Sequence, residues 1–336
     1  MSDPRAPLPL PPKPFTRDGR LRRLGVELEM GGLDVEVLSA VVAEHVGGRA
    51  EVISRYEHRI DGDPAGPWQV ELDFAYLKLR GRERAAADEG LAGQLDEAME
   101  EVLAAGSQAI VPMEVVSPPL PLDRLHEVER LIARLRRAGA RGTRDGLVFA
   151  FGLHLNPELP DTESVTIVRY LKAFVCLYDW LKAEARVDVL RRITVYIDHY
   201  PTRYVRKLVQ RDYQPDQPQL IDDYLADNPT RNRALDMLPL FAFLDGDRVR
   251  GVVDDARIKG RPTLHYRLPN CEIDRADWGL ENDWRRWLQV EHLAADPVRL
   301  DDLCSAYRAH LDKPLSGLMD SWAERVEAWL KDPNDL

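Results

Sequence analysis

The chain has 336 residues and sets 46 Lys and Arg against 57 Asp and Glu, a net charge of −11. That balance argues against a general attraction for nucleic acid or anionic lipid, and no apolar run reaches the roughly 18–20 residues of a membrane helix. Cys176, Cys271 and Cys304 lie far apart, with no CxxC or Cys/His spacing, so a disulfide framework and a structural zinc finger are both unexpected.

The first segment, MSDPRAPLPLPPKP, carries prolines at 4, 7, 9, 11, 12 and 14 and no apolar stretch of signal-peptide type. Polyproline II is its natural conformation. Residues 1–20 read as a flexible or loosely docked tail on a cytoplasmic protein. Residues 24–30 (LGVELEM) alternate in character and predict a strand. A helical pattern over 33–46 stops at Gly47-Gly48. Residues 50–60 and 67–79 predict two strands joined through the turn-rich DGDPAGP. An Ala-, Glu- and Leu-rich helix is expected over 84–105, and a strand over 109–117.

Residues 121–138 form an amphipathic helix by pattern, with Leu122, Leu125, Val128, Leu131, Ile132 and Leu135 on one stripe and Gly139 after it. A strand follows at 146–156, then a long helix at 162–186 with Asp161 as its N-cap. Residues 190–250 predict helices with long connections. Residues 261–268 (RPTLHYRL) read as a strand, and the last 55 residues as a Trp-rich helical layer. Runs of strands punctuated by helices predict an α+β fold with a mainly antiparallel sheet. Neither GxxxxGK[ST] nor GxGxxG occurs, which disfavours a P-loop or Rossmann site.

The strands carry the functional signal. Residues i and i+2 of a strand share a face. Glu27 and Glu29 therefore oppose Val26, Leu28 and Met30, while Glu71 and Asp73 oppose Val70, Leu72 and Phe74. His154 and Asn156 oppose Leu153 and Leu155. Thr263, His265 and Arg267 oppose Leu264, Tyr266 and Leu268. Glu114 stands in an otherwise apolar strand, where a carboxylate needs a partner. Carboxylates with an imidazole suit Mg²⁺ or Mn²⁺, and an arginine beside them suits a phosphate. Each group also has a plain reading, as a solvated strand face or a buried salt bridge. The basic stretch Arg203, Arg206, Lys207 and Arg211 reads as a solvated helix face before a phosphate site.

Five short blocks resemble the putative amidoligase family, within the glutamine synthetase and glutamate–cysteine ligase superfamily of carboxylate–amine ligases. GVELEM (25–30) is similar to its opening GxExE strand. Asp73 after WQVEL resembles the second-block aspartate, with Phe-Ala in place of Gly-Ser. EVVSPP (114–119) resembles the E-x-x-SP block, and GLHLN (152–156) the glycine–histidine strand, with Asn156 where many relatives have a second histidine. TLHYR (263–267) resembles the late E-F-R strand, with His265 where relatives often have a metal-binding glutamate. The blocks span roughly residues 20–275.

The resemblance implies a glutamine synthetase-like catalytic domain over 21–275, with helices outside an open antiparallel funnel, and a C-terminal helical segment (276–336) packed on it. It implies an ATP- and Mg²⁺-dependent ligase (Mn²⁺ being the alternative ion). The product would be an amide, formed through an acyl phosphate from a small-molecule, peptide or protein-tail carboxylate and an amine. Carried over, Glu27, Glu29, Glu114 and His154 hold metal, and Glu29, Asp73 and Arg267 are catalytic. His154, Asn156, His265 and Arg267 contact the nucleotide. His265 removes one negative charge from the site, which keeps a metal-dependent hydrolase and a non-catalytic binding member open as alternatives. Oligomeric state is not legible.

Overall fold

A computed structural model describes residues 7–72, 113–143, 151–185, 199–255, 257–313 and 321–332. The fold is α+β, built on one open, antiparallel sheet. Its strands are Arg23–Met30 (β1), Arg49–Ser54 (β2), Glu57–Asp61 (β3), Trp68–Leu72 (β4), Met113–Val116 (β5), Leu120–Pro121 (β6), Leu153–Pro157 (β7), Leu235–Asp236 (β8) and His265–Tyr266 (β9). The order is β2-β3-β4-β5-β1-β7-β9-β8, with β6 paired to the start of β1. Thus β1, carrying both glutamates of GVELEM, is central.

Burial alternates along β1 as its sequence demands. Leu24, Val26, Leu28 and Met30 are sealed, while Arg23, Gly25, Glu27 and Glu29 lie on the other face. The sealed face is covered by helices. Val35–Val46 (α1) packs on β2, β3 and β4. Asp34 caps α1 by accepting the Val37 N–H, and Gly47 ends it at φ 66°, a left-handed conformation in which a β-carbon is costly. The stripe read in 121–138 is entirely buried. Its first turn, Leu122–Arg124, is a 3₁₀ turn leading into Leu125–Ala138 (α2).

Behind β7 and β9 lies Ser164–Glu184 (α3), whose Phe174 meets Tyr266 edge-on. Around α3 pack the C-terminal helices Leu280–Ala295 (α8), Pro297–Asp312 (α9) and Trp322–Lys331 (α10), with Trp284, Trp287, Trp322 and Trp329 buried. Between them run Thr202–Leu208 (α4), Gln217–Asp227 (α5), Leu238–Leu244 (α6) and Gly246–Arg250 (α7). A buried network ties this layer to β1. Arg22 donates to both carboxylate oxygens of Glu291 at 2.7 and 2.9 Å, and Trp287 and Tyr170 donate to the same carboxylate.

Three expectations are corrected. Residues 50–60 are not one strand but the hairpin β2–β3, turning at Arg55-Tyr56, with a register shift in the ladder between Val52 and Ser54. The N-cap of α3 is Glu163, without a side-chain bond; Asp161 instead accepts the Glu163 N–H two residues early. Of 261–268 only His265–Tyr266 form a strand, paired with β8 and β7, while Thr263 makes a single bridge to Glu158. Residues 7–20 lie against the domain. Leu8 is buried, Trp284 donates to the Pro9 carbonyl, and Arg22 to that of Lys13. The helix expected at 84–105 lies outside the described residues, as do the ends of two predicted strands (73–79 and 109–112) and the start of the strand at 146–156.

Candidate functional site

Register brings the acids into one row. Glu29 faces Glu114 across β1 and β5, Glu114 faces Glu71 across β5 and β4, and Glu71 faces Glu57 across β4 and β3. Like charges directly opposite each other weaken a sheet. Burial pushes the Glu71 carboxyl up, Glu57 and Glu27 add to the rise, and Lys259 opposes it. Such a row is a poor structural device and a good cation cradle.

On the other side of β1 the row meets imidazole. Glu27 faces His154 across β1 and β7. The His154 Nδ1 lies 3.0 Å from Glu27 Oε2, and its Nε2 lies 3.2 Å from Glu29 Oε1. The Gly152 N–H donates to the other Glu29 oxygen at 2.5 Å. His265 Nε2 stands 3.6 Å from Glu27 Oε2, and the two imidazoles meet edge to face at 5.3 Å between centroids. Glu27, His154 and His265 each offer a ligand atom, all within 4.8 Å of one another.

Protonation favours ligation. Burial pushes the Glu27 carboxyl up, but His265 and His154 outweigh it and hold Glu27 well below the usual range. Burial depresses His154 below an ordinary histidine, and Arg267 adds to this, against the upward pull of Glu29 and Glu27. His154 is therefore a neutral imidazole at neutral pH. With Nδ1–H given to Glu27, its Nε2 lone pair faces a carboxylate oxygen. That Nε2, and both nitrogens of His265, are buried without a hydrogen bond. Buried polar atoms are normally satisfied, and a divalent cation between these groups would supply what they lack. The donor set fits such an ion.

Asn156 does not present its oxygen. Its Nδ2 donates to Glu27 at 2.8 Å, while its Oδ1 accepts from Arg261 at 2.6 Å. It orients Glu27 and connects it to a cation the sequence reading missed. Gly25 sits beside it because a β-carbon there would stand 3.3 Å from the Asn156 Cβ. Arg267 lies close enough to act on His154 and donates Nη1–H to the Arg231 carbonyl at 2.9 Å. Asp73 lies outside the described residues.

Two further groups at the site carried no advance signal. Asp236 faces His265 across β8 and β9, with its Oδ2 3.6 Å from His265 Nδ1. Arg231 feels Arg267 and Asp236. Both fall in 190–250, where only a long-range pairing with β9 gives them meaning. Arg203, Arg206 and Lys207, by contrast, are engaged by Asp227, Asp312 and Asp223. No helix among the described residues is long and apolar enough to cross a membrane.

A family profile described as putative amidoligase enzyme matches residues 20–289, and the chain belongs to that family. No curated protein and no solved structure matches it.

Proposed function

We propose, with that membership as premise, that the chain is an ATP-dependent carboxylate–amine ligase of glutamine synthetase-like fold, working on the polar face of the sheet. The observation that carries this reading is the convergence of Glu27, Glu29 and His154, with contacts of 3.0–3.2 Å, beside Arg267. Ligase function in general follows from the family; the nucleotide, the ion and the acyl phosphate are our reading.

In this reading Glu27, Glu29, Glu114 and His154 hold Mg²⁺ or Mn²⁺, which would neutralise phosphate oxygens and so favour attack at the terminal phosphorus. The substrate carboxylate attacks that phosphorus, ADP leaves, and an acyl phosphate results. An amine then attacks the acyl carbon, inorganic phosphate departs, and the amine nitrogen loses its proton. Arg267 sits on the flank of the face away from the acid row, where it meets the charge of the transferring group. The Gly152 N–H and Asn156 lock the Glu29 and Glu27 carboxylates, so the ligand oxygens need little reorganisation.

The test is calorimetry of a non-hydrolysable ATP analogue, with and without Mg²⁺ or Mn²⁺, on the wild type, Glu29→Gln and Arg267→Ala. Metal-dependent binding lost in both variants is expected. No nucleotide binding under any metal condition overturns the ligase reading.

A further inference from the structure

We infer that Asp236 is a positioning residue for His265, and that together they turn one end of the acidic face into a nitrogen-rich site selective for a borderline transition-metal ion over Mg²⁺. The inference rests on the ligase reading for the use of the ion, though not for its binding.

Three observations carry it. First, Asp236 is fully buried, and its Oδ1 is already engaged by the Leu238 N–H at 2.9 Å. Its Oδ2 has no hydrogen bond and stands 3.6 Å from His265 Nδ1. A buried carboxylate oxygen so placed is costly unless a proton is directed at it. Second, His265 also has no hydrogen bond at either nitrogen, and its Nε2 points towards Glu27. With Nδ1–H towards Asp236, the Nε2 lone pair is left for an ion. This is the usual arrangement of a carboxylate behind a metal-bound histidine, which fixes both tautomer and ring orientation. Third, the ligand atoms gathered there are two imidazole nitrogens and one carboxylate oxygen.

That donor set changes the choice of ion. Mg²⁺ prefers oxygen and octahedral geometry, whereas imidazole favours Co²⁺, Zn²⁺ and the other later ions of the series. Where relatives place a glutamate, this chain places a neutral ligand and moves the negative charge one step back, onto Asp236. The oxygen-only row of Glu29, Glu114 and Glu71 remains the part of the face suited to Mg²⁺.

The experiment uses the full chain, freed of metal, titrated with CoCl₂ in the absence of nucleotide. Calorimetry reads affinity, and the visible Co²⁺ spectrum reads nitrogen ligation. We expect one Co²⁺ per chain, retained against a hundredfold excess of MgCl₂. Asp236→Asn keeps the Leu238 bond through Oδ1 but aims an N–H at His265 Nδ1, so the proton moves to Nε2 and the ligand is lost. It should weaken Co²⁺ binding by about 10–100-fold. His265→Gln should do the same, and the double variant should be no weaker than His265→Gln alone, since Asp236 acts through that ring. Additive losses, an unchanged Co²⁺ affinity in Asp236→Asn, or wild-type Co²⁺ displaced by equimolar Mg²⁺ each overturn the inference. Selective Co²⁺ binding without any ATP-analogue binding sinks the ligase reading and leaves this one standing. Mg²⁺-dependent ATP-analogue binding with no Co²⁺ preference does the reverse.

Discussion

Replacing Glu291 with Ala should destabilise the protein far more than any exposed acid does. Arg22 and Glu291 are each 1% exposed. The carboxylate accepts two bonds from Arg22, one from Trp287 at 3.0 Å and one from Tyr170. Removing it strands a guanidinium that keeps only the Glu158 and Lys13 carbonyls. Breaking a buried pair from one side costs about 3–5 kcal/mol. At about 2 °C per kcal/mol for a chain of this size, the melting temperature falls by about 6–10 °C. The paired change Arg22→Met with Glu291→Leu removes both charges and should recover most of that loss, because two well-packed apolar groups often match a buried ion pair. Denaturant titration of the four proteins gives the coupling energy. A single-variant cost below about 1 kcal/mol, or a double variant worse than the sum of the singles, refutes the argument.

Other outcomes follow from the same physics. Glu29→Gln should abolish turnover while holding stability or raising it by up to about 1 kcal/mol at low salt, since it relieves repulsion with Glu114 across the ladder. A large drop in melting temperature contradicts this. Burial raises Asp283 from 3.8 to about 6, against the pull of Arg286. A carboxyl with a raised folded pKa keeps its proton longer when folded, so its contribution to stability is lost as pH rises from about 4 to 6 and stays lost above. That loss is on the order of 3 kcal/mol. Asp283→Asn should therefore stabilise at pH 8 and have little benefit at pH 4, as read by denaturant titration at each pH.

Much of the fold was legible because its central elements announce themselves by periodicity. In β1 the alternation of Leu24, Val26, Leu28 and Met30 with Arg23, Gly25, Glu27 and Glu29 holds residue for residue. The α2 stripe is buried in full. What escaped was non-local or short. The β2–β3 turn at Arg55-Tyr56 contains neither Gly nor Pro, so the run of 50–60 reads as continuous. β8 is only two residues long, below any pattern a sequence displays, and without it Asp236 is one acid among many. Arg261 was visible four residues before His265, yet its bond to Asn156 depends on the β7–β9 pairing. The site could be read as a set of residue types on strands, but its connections could not.

The order of strands also sorts charge across the face. Glu57, Glu71, Glu114 and Glu29 occupy β3, β4, β5 and β1 in turn, His154 follows on β7, and Arg267 comes after β9. Beyond Arg267 stands Arg231, whose guanidinium has its pKa lowered, first by burial and then by Arg267 itself. Asp236 and Asp255 pull the other way, and an anion laid against the two arginines would further offset the effect of Arg267 on Arg231. A nucleotide with its cations on the acid flank and its phosphate oxygens towards these arginines matches the gradient. Arg231→Gln should then hold or raise the melting temperature of the free protein while weakening ATP-analogue binding about tenfold, the loss of a charge-assisted phosphate contact. If Arg231→Gln instead lowers the melting temperature and binds the analogue as tightly as the wild type, the arginine is there for packing, and the phosphate end of the site lies elsewhere on the sheet.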